Sequence, residues 1–325
     1  MAAPLKASSK IFHKALHPFE FNPYFQPRFT NKNIVFQMKR YISSKRLNSF
    51  QICIENVRKY DYENYLCSLL LSEPARTASF VIRAFNVEVS QVRDLVSTSA
   101  IGEMRMQFWK DTIDKTFSGH PPEQPVAIEL SKILKQKKLS KAWFLRLINS
   151  RETLLNDKPF FSIKDLENYC DNSAVPVYLL ILQAFGVTDI HCDHVASHIG
   201  KCQGICNVLR GIPFNASRRR LYLPLELASK HKISQDSLFR GERGQKLNDA
   251  VYDLSSVAYQ HLNLARKLNK DVSKHVKSMF LPSVSCELYL KNLQKSNFDV
   301  FHLSNQTRNS WLPFQLWKHK FLNKF

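Results

Sequence analysis

The sequence predicts an all-α protein organised as a single helical domain, and three stretches carry that prediction. Between Arg58 and Lys110, Leu66, Leu69 and Leu70, then Phe80, Ile82, Phe85, Val89 and Val92 recur at the spacing of one helical face. Residues 246–270 repeat the pattern with Leu247, Val251, Leu254, Val257, Ala258, His261, Leu262 and Ala265. Around residues 198–224, Val195, Ile199, Cys202, Cys206 and Leu209 form an apolar stripe beside Gln203, Asn207 and Gly211, which recur every four residues and share one side of a helix. Pro213 is expected to end that helix.

Taken in order, residues 1–45 are rich in Lys, Arg, Ser, Phe and Asn, with Glu20 as their one acid, which reads as a mitochondrial transit peptide and spacer. Arg40-Tyr41-Ile42 supplies a processing site, with a disordered basic tail as the alternative. Residues 46–300 hold the helical domain. Within it Ser72 and Pro74 suggest a cap and first-turn pair, and Gly119 to Pro125 a connector. Residues 126–149 read as two amphipathic helices, the second with Trp143, Phe144, Leu147 and Ile148 inside. Ser162 precedes Asp165 as a helix cap. Residues 301–325 form a basic, aromatic tail, in which Trp311, Phe314, Trp317 and Phe321 interleave with Lys318, Lys320 and Lys324. Such a tail suits a membrane interface, rings at headgroup level and cations on phosphates, or a final helix packed on the bundle.

An apolar content of 44 % over 325 residues suffices for a large core. The formal charge is +20, and residues 1–50 carry nine Lys/Arg against Glu20, leaving +12 for the remainder. That excess is compatible with anionic lipid or phosphate ligands. No nucleic-acid-binding module is recognisable, so no nucleic-acid partner is expected. Seven scattered cysteines do not form a secreted disulfide framework. The longest apolar run, Val175 to Phe185, has about 11 residues where a membrane span needs about 20. His194, His198, Cys202 and Cys206 lie four apart on one helical face, but such a row is longer than one tetrahedral ion can span. Core packing by the thiols is the expectation there, with no bound metal and no cofactor.

Gln203-x3-Asn207-x-x-Arg210, followed by Arg220-x-Tyr222-Leu223-Pro224, resembles the second signature of the squalene/phytoene synthase family, and Ala84 to Lys110 resembles its first. The resemblance covers about residues 60–290. It implies an isoprenoid-synthase-like fold and, in active members, Mg2+ held between two aspartate-rich clusters. Here Arg93, Ser97, Gly211 and Asn215 stand where those aspartates are expected, and only Asp94 remains. Glycine offers Mg2+ no ligand and asparagine only a neutral carbonyl. Asp94, Gln203, Asn207 and Asn215 therefore mark the pocket of a former active site, and Asp94 itself is expected in an ion pair or at a helix end. Tyr169 and Cys170 match the family's Tyr-Cys helix, whereas Val175, Pro176 and Tyr178 replace small residues and argue against an open lipid tunnel.

Arg218, Arg219 and Arg220 either form a solvated run paired with acids such as Glu226, or hold a phosphate, since guanidinium forks bind phosphate without a metal. Within the family, the 191–204 run and residues 218–224 resemble a branch of mitochondrial complex I assembly factors. That resemblance implies a non-catalytic protein, peripheral on the matrix side of the inner membrane, whose partners are complex I assembly intermediates or a membrane-arm subunit. A prenyl transferase with an altered Mg2+ site and a lipid- or phosphate-binding module are the alternatives.

Overall fold

The computed structural model describes residues 47–325; the expectations for residues 1–45, including processing at Arg40-Tyr41, lie outside them. Among the described residues every regular element is helical. Helix α1 (Ser49–Tyr60) opens on a reciprocal capping box between Asn48 and Gln51, and α2 (Tyr62–Leu69) follows directly. Helix α3 (Ala75–Leu95) does not start as expected, because the Ser72 hydroxyl makes no cap. Instead the Glu73 carboxylate accepts from the backbone N–H and hydroxyl of Thr77, an anion at the positive end of the helix dipole.

Helix α4 (Ser99–Phe117) begins at the Thr98 cap. The connector after it turns through Gly119, at φ 88°, into α5 (Pro125–Leu134), where Pro125 occupies the first turn and needs no N–H partner. Helices α6 (Lys141–Glu152) and α7 (Ile163–Ser173) follow, the latter opened by the expected Ser162/Asp165 box. Helix α8 (Val175–Phe185) is buried along nearly its whole length and stops at Gly186, whose φ of 86° is costly for other residues. Then come α9 (Ile190–Ala216), two short helices α10 (Leu225–Lys230) and α11 (Gln235–Phe239), and the long α12 (Gln245–Lys267). Two 3-10 turns, Leu268–Asp271 and Lys277–Phe280, lead to α13 (Pro282–Lys295), α14 (Leu303–Gln306) and α15 (Leu312–Phe321).

Helix α9, 27 residues long, is the axis of the fold. Its first half puts Cys192, Val195, Ala196 and Ile199 into a cluster with α1, α3 to α6 and α8. Its second half puts Cys202, Ile205, Cys206, Leu209 and Ile212 into another with α7, α12 and α13. Burying each of the Val, Leu and Ile side chains among them stabilises the fold by about 1.5–3 kcal/mol before entropy is counted. Pro213 does not terminate α9, which runs on to Ala216. The proline forfeits the bond its own N–H would have made and its ring crowds the Leu209 carbonyl, a cost borne by the buried neighbours Leu209, Ile212 and Ala216, and the chain turns away at Arg219, at φ 56°.

Two glycines of α9 set how closely its neighbours approach. A Cβ at Gly200 would stand 2.8 Å from the Val175 Cα, and one at Gly204 would stand 2.5 Å from the Cys170 sulfur. The α7–α8 junction thus lies directly on the helix. Gly200→Ala, which meets backbone, is expected to lower the unfolding free energy by roughly 1–3 kcal/mol in urea titration. Gly244→Ala, with nothing within 4 Å, should cost much less; equal effects would refute the close-packing account.

Candidate functional site

The polar row of α9 faces a cavity of about 490 Å³, walled by α2, α3, the α7–α8 junction and the segment 305–312. Gln203, Asn207 and Gly211 line it together, as their spacing requires. Gln203 is buried and spoken for: its carbonyl accepts from the Tyr178 hydroxyl at 2.7 Å, and its amide donates to Asn64 Oδ1 at 3.2 Å. Asn64 in turn donates to Asp61 at 2.7 Å. Burial raises the Tyr178 phenol well above its ordinary range, so it stays a neutral donor. Asn207 is exposed at the cavity wall. Asn215 turns away, its amide donating to the Gly211 carbonyl at 2.9 Å, and lines a neighbouring space of about 190 Å³ that shares Ser173, Ala174 and Asn207 with the first.

Arginines enter this region from several directions. Arg83, 3 % exposed, lies over the Tyr178 ring with its nearest carboxylate, Asp61, at 3.6 Å, and its Nε has no hydrogen-bond partner among the described residues. Arg151 ties α6 to α3 and α7 by donating to Asn86 Oδ1 at 2.6 Å and to the Ser173 carbonyl at 2.7 Å. Arg210 stacks on Tyr289 and meets Glu63 at 3.2 Å; burial nonetheless pushes the Glu63 carboxyl up.

Asp94 and Arg220 meet although 126 positions separate them. Arg220 donates to Asp94 Oδ1 at 2.6 Å, and its Nε lies 3.2 Å from Asp157 Oδ1. Arg93 grips both oxygens of the same Asp157. The four charges form a chain, Arg93 to Asp157 to Arg220 to Asp94, that fastens the end of α3 and the turn after α6 to the segment leaving α9. The three consecutive arginines do not converge. Arg218 stacks on Phe214 at 3.8 Å, Arg219 pairs with Asp236 at 3.3 Å, and only Arg220 points inward. Glu226 instead accepts from the Ile163 N–H.

The donor set does not suit Mg2+. Asp61, Glu63, Asp94 and Asp157 are the carboxylates here, and each faces a guanidinium within 3.6 Å. A hard dication would have to displace those arginines to gather anionic oxygens around itself. The histidine–cysteine row of α9 also parts company: Cys202 and Cys206 join Cys286 of α13 in a buried triangle within 4.8 Å, whereas His198 meets His261, itself held by Glu167 at 2.6 Å.

Sequence reasoning missed Asp157, Asn64 and the buried Arg83 and Arg151. Arg83 carried a signal, a charge amid the buried positions of an apolar helix. Asp157 carried none, since its partners lie 64 and 63 positions away in the chain. Arg220→Met is expected to cost roughly 1.5–3 kcal/mol, the range for bonds to charged groups, with Arg220→Lys rescuing only part because a compact ammonium on a flexible stem lacks the rigid planar fork that spans the two carboxylates. Arg220→Met combined with Asp94→Asn should cost less than the sum of the single changes. Strict additivity in urea titration would show that the pair is uncoupled.

The squalene/phytoene synthase family model matches residues 57–315. The complex I assembly factor 6 of Homo sapiens is 45 % identical over 265 residues, covering 82 % of this chain and 80 % of that protein. Its homolog in Drosophila melanogaster is 40 % identical over 280 residues, covering 84 % of each. Among solved structures, a dehydrosqualene synthase in complex with ligand superposes with a TM-score of 0.73 at 17 % identity, over 88 % of this chain and 98 % of that one, a likeness of fold. By the length of the family match and by these relatives, the chain belongs to the squalene/phytoene synthase family.

Proposed function

We propose that the chain is a non-catalytic assembly factor for mitochondrial NADH:ubiquinone oxidoreductase, complex I. It acts early, in the biogenesis of a mitochondrially encoded membrane-arm subunit, as a peripheral protein on the matrix side of the inner membrane. The relatives named as complex I assembly factors support the first part. The observation that carries the non-catalytic part is the arginine opposite every carboxylate of the site. Head-to-head prenyl condensation begins by ionising an allylic diphosphate, and the departing pyrophosphate needs concentrated positive charge. Here Arg83, Arg210 and Arg220 each already face a protein carboxylate, and an anion held only in the ground state gains affinity without rate. Peripheral attachment is supported by the absence, among the described residues, of a helix long and apolar enough to cross a membrane, together with the basic, aromatic α15.

Deleting the protein is expected to lower assembled complex I on native gels, with restoration by the wild-type chain and by Asn215→Asp. Normal complex I in the deletion strain would end the proposal. Purified protein given Mg2+ and farnesyl or geranylgeranyl diphosphate should release no pyrophosphate above a blank; turnover abolished by Asp94→Ala would make it a transferase. The mature protein isolated from mitochondria should begin near residue 42, and alkaline carbonate should release it from membranes. An intact Met1 or retention in the carbonate pellet would contradict those two points separately.

A further inference from the structure

A second concave site lies away from the α9 cavity, between the end of α15, the turn 274–281 and the segment after α2. It encloses about 230 Å³ and is lined by Lys274, Lys277, Lys320, Lys324, His275 and His319, with no aspartate or glutamate. Lys274, Lys320 and Lys324 are exposed and Lys277 is half-buried, and among the described residues none of the four has a carboxylate within ion-pair distance. The Nδ1 atom of His319 is buried and has no hydrogen-bond partner there. Four ammonium groups around one hollow repel one another, so the site is arranged for an anion with several oxygens.

What stands beside the hollow narrows the choice of anion. Leu312 and Leu316 hold α15 to the body of the protein, 2 % and 0 % exposed. On the opposite side of the same helix Trp311, Phe314, Trp317 and Phe321 are 72, 52, 56 and 73 % exposed and form a continuous ladder, with centroids 5.8–6.4 Å apart. A stripe of four large rings turned to solvent is uncommon on a protein surface without a binding role. Lys320 of this helix and Lys324 just after it line the hollow, so the ring stripe and the cations belong to one C-terminal segment.

We infer that this face is a docking site for an anionic phospholipid surface, with a lipid phosphate seated among Lys274, Lys277, Lys320 and Lys324 and the aromatic ladder lying at headgroup depth. Free phosphate would use the lysines and leave the rings idle; a bilayer uses both. The inference rests on the peripheral attachment proposed above and specifies the residues and the lipid chemistry that produce it.

Vesicle flotation tests it, with the full chain and with residues 47–325, which contain every described helix and all three hydrophobic clusters. Vesicles of phosphatidylcholine alone are compared with vesicles containing phosphatidylglycerol. Both proteins should float with the anionic vesicles, with a blue shift of tryptophan emission. Lys277→Gln combined with Lys320→Gln should weaken binding roughly thirtyfold, about fivefold per lysine, and Trp317→Ala with Phe321→Ala should weaken it and reduce the shift. Lys232→Gln with Lys246→Gln, neither of which lines the hollow, should change little. These side chains are exposed or half-buried, so circular dichroism and melting should be unaltered. Binding by the full chain alone would assign attachment to the leader and overturn the inference. Equal binding to both vesicle types, equal losses in the two lysine pairs, or binding of inorganic phosphate without vesicle binding would also overturn it. Failure on every vesicle would remove the peripheral reading as well, while leaving the complex I deletion phenotype a separate question.

Discussion

Charge compensation at the site governs what the rest of the structure can be. A guanidinium or carboxylate taken out of water costs several kcal/mol unless an opposite charge or a set of hydrogen bonds meets it. Arg220 must therefore find Asp94 and Asp157, and doing so fixes how the chain leaves α9, where α3 ends and how the turn after α6 is drawn in. The φ values of Asp157 and Arg219, 52° and 56°, lie in the left-handed region, so the backbone bends to let these side chains meet. Arg151 and Arg210 do the same for α6 and for the α2–α13 contact.

Under the proposed non-catalytic function, that requirement also explains how a fold can persist without the chemistry. Packing of α9 against α7, α8, α12 and α13 depends on volume and on two glycines, neither of which needs a metal. A site built on two acidic clusters would carry mutual repulsion in the empty protein, relieved only by bound cations. Arginines relieve it permanently. The price is that the cations belong to the protein and cannot depart with a leaving group. The TM-score of 0.73 at 17 % identity to a dehydrosqualene synthase shows that this fold tolerates wide divergence of residue types.

Much of the fold was legible in the sequence because it rests on periodicity and local capping. The α9 stripe, the α12 stripe, the Ser162/Asp165 box and the connector at Gly119 are each decided within a few residues. Where the reading failed, a neighbour in the chain competed with the expected residue. Glu73 displaced Ser72 as the cap because a charged acceptor at a helix start is stronger than a hydroxyl, and Pro213 is held within α9 by the buried packing of Leu209, Ile212 and Ala216 around it. The site was legible on one side only. Gln203, Asn207 and Gly211 share a face by arithmetic, but their partners Tyr178 and Asn64 come from other helices, and the ion-pair chain joins residues more than 60 positions apart. Arg218 to Arg220 looked like one patch because sequence places them side by side. Leaving a helix, consecutive residues point in different directions, and these three reach Phe214, Asp236 and Asp94.

The tail shows the same limit from the other side. Aromatic–lysine interleaving at 301–325 left two readings, a membrane-facing segment or a packed helix, and a helix of 10 residues has faces enough for both. Leu312 and Leu316 pack inward while the four exposed rings stand opposite, so the alternatives describe two sides of one element. What no periodicity could reveal is that the outward side adjoins an acid-free hollow contributed partly by Lys274 and Lys277, more than 40 positions upstream. The protein's charge is accordingly divided. At the α9 cavity Arg83, Arg210 and Arg220 are matched to carboxylates; around this hollow the lysines are not, which is tolerable only where water, or a surface of opposite charge, completes them.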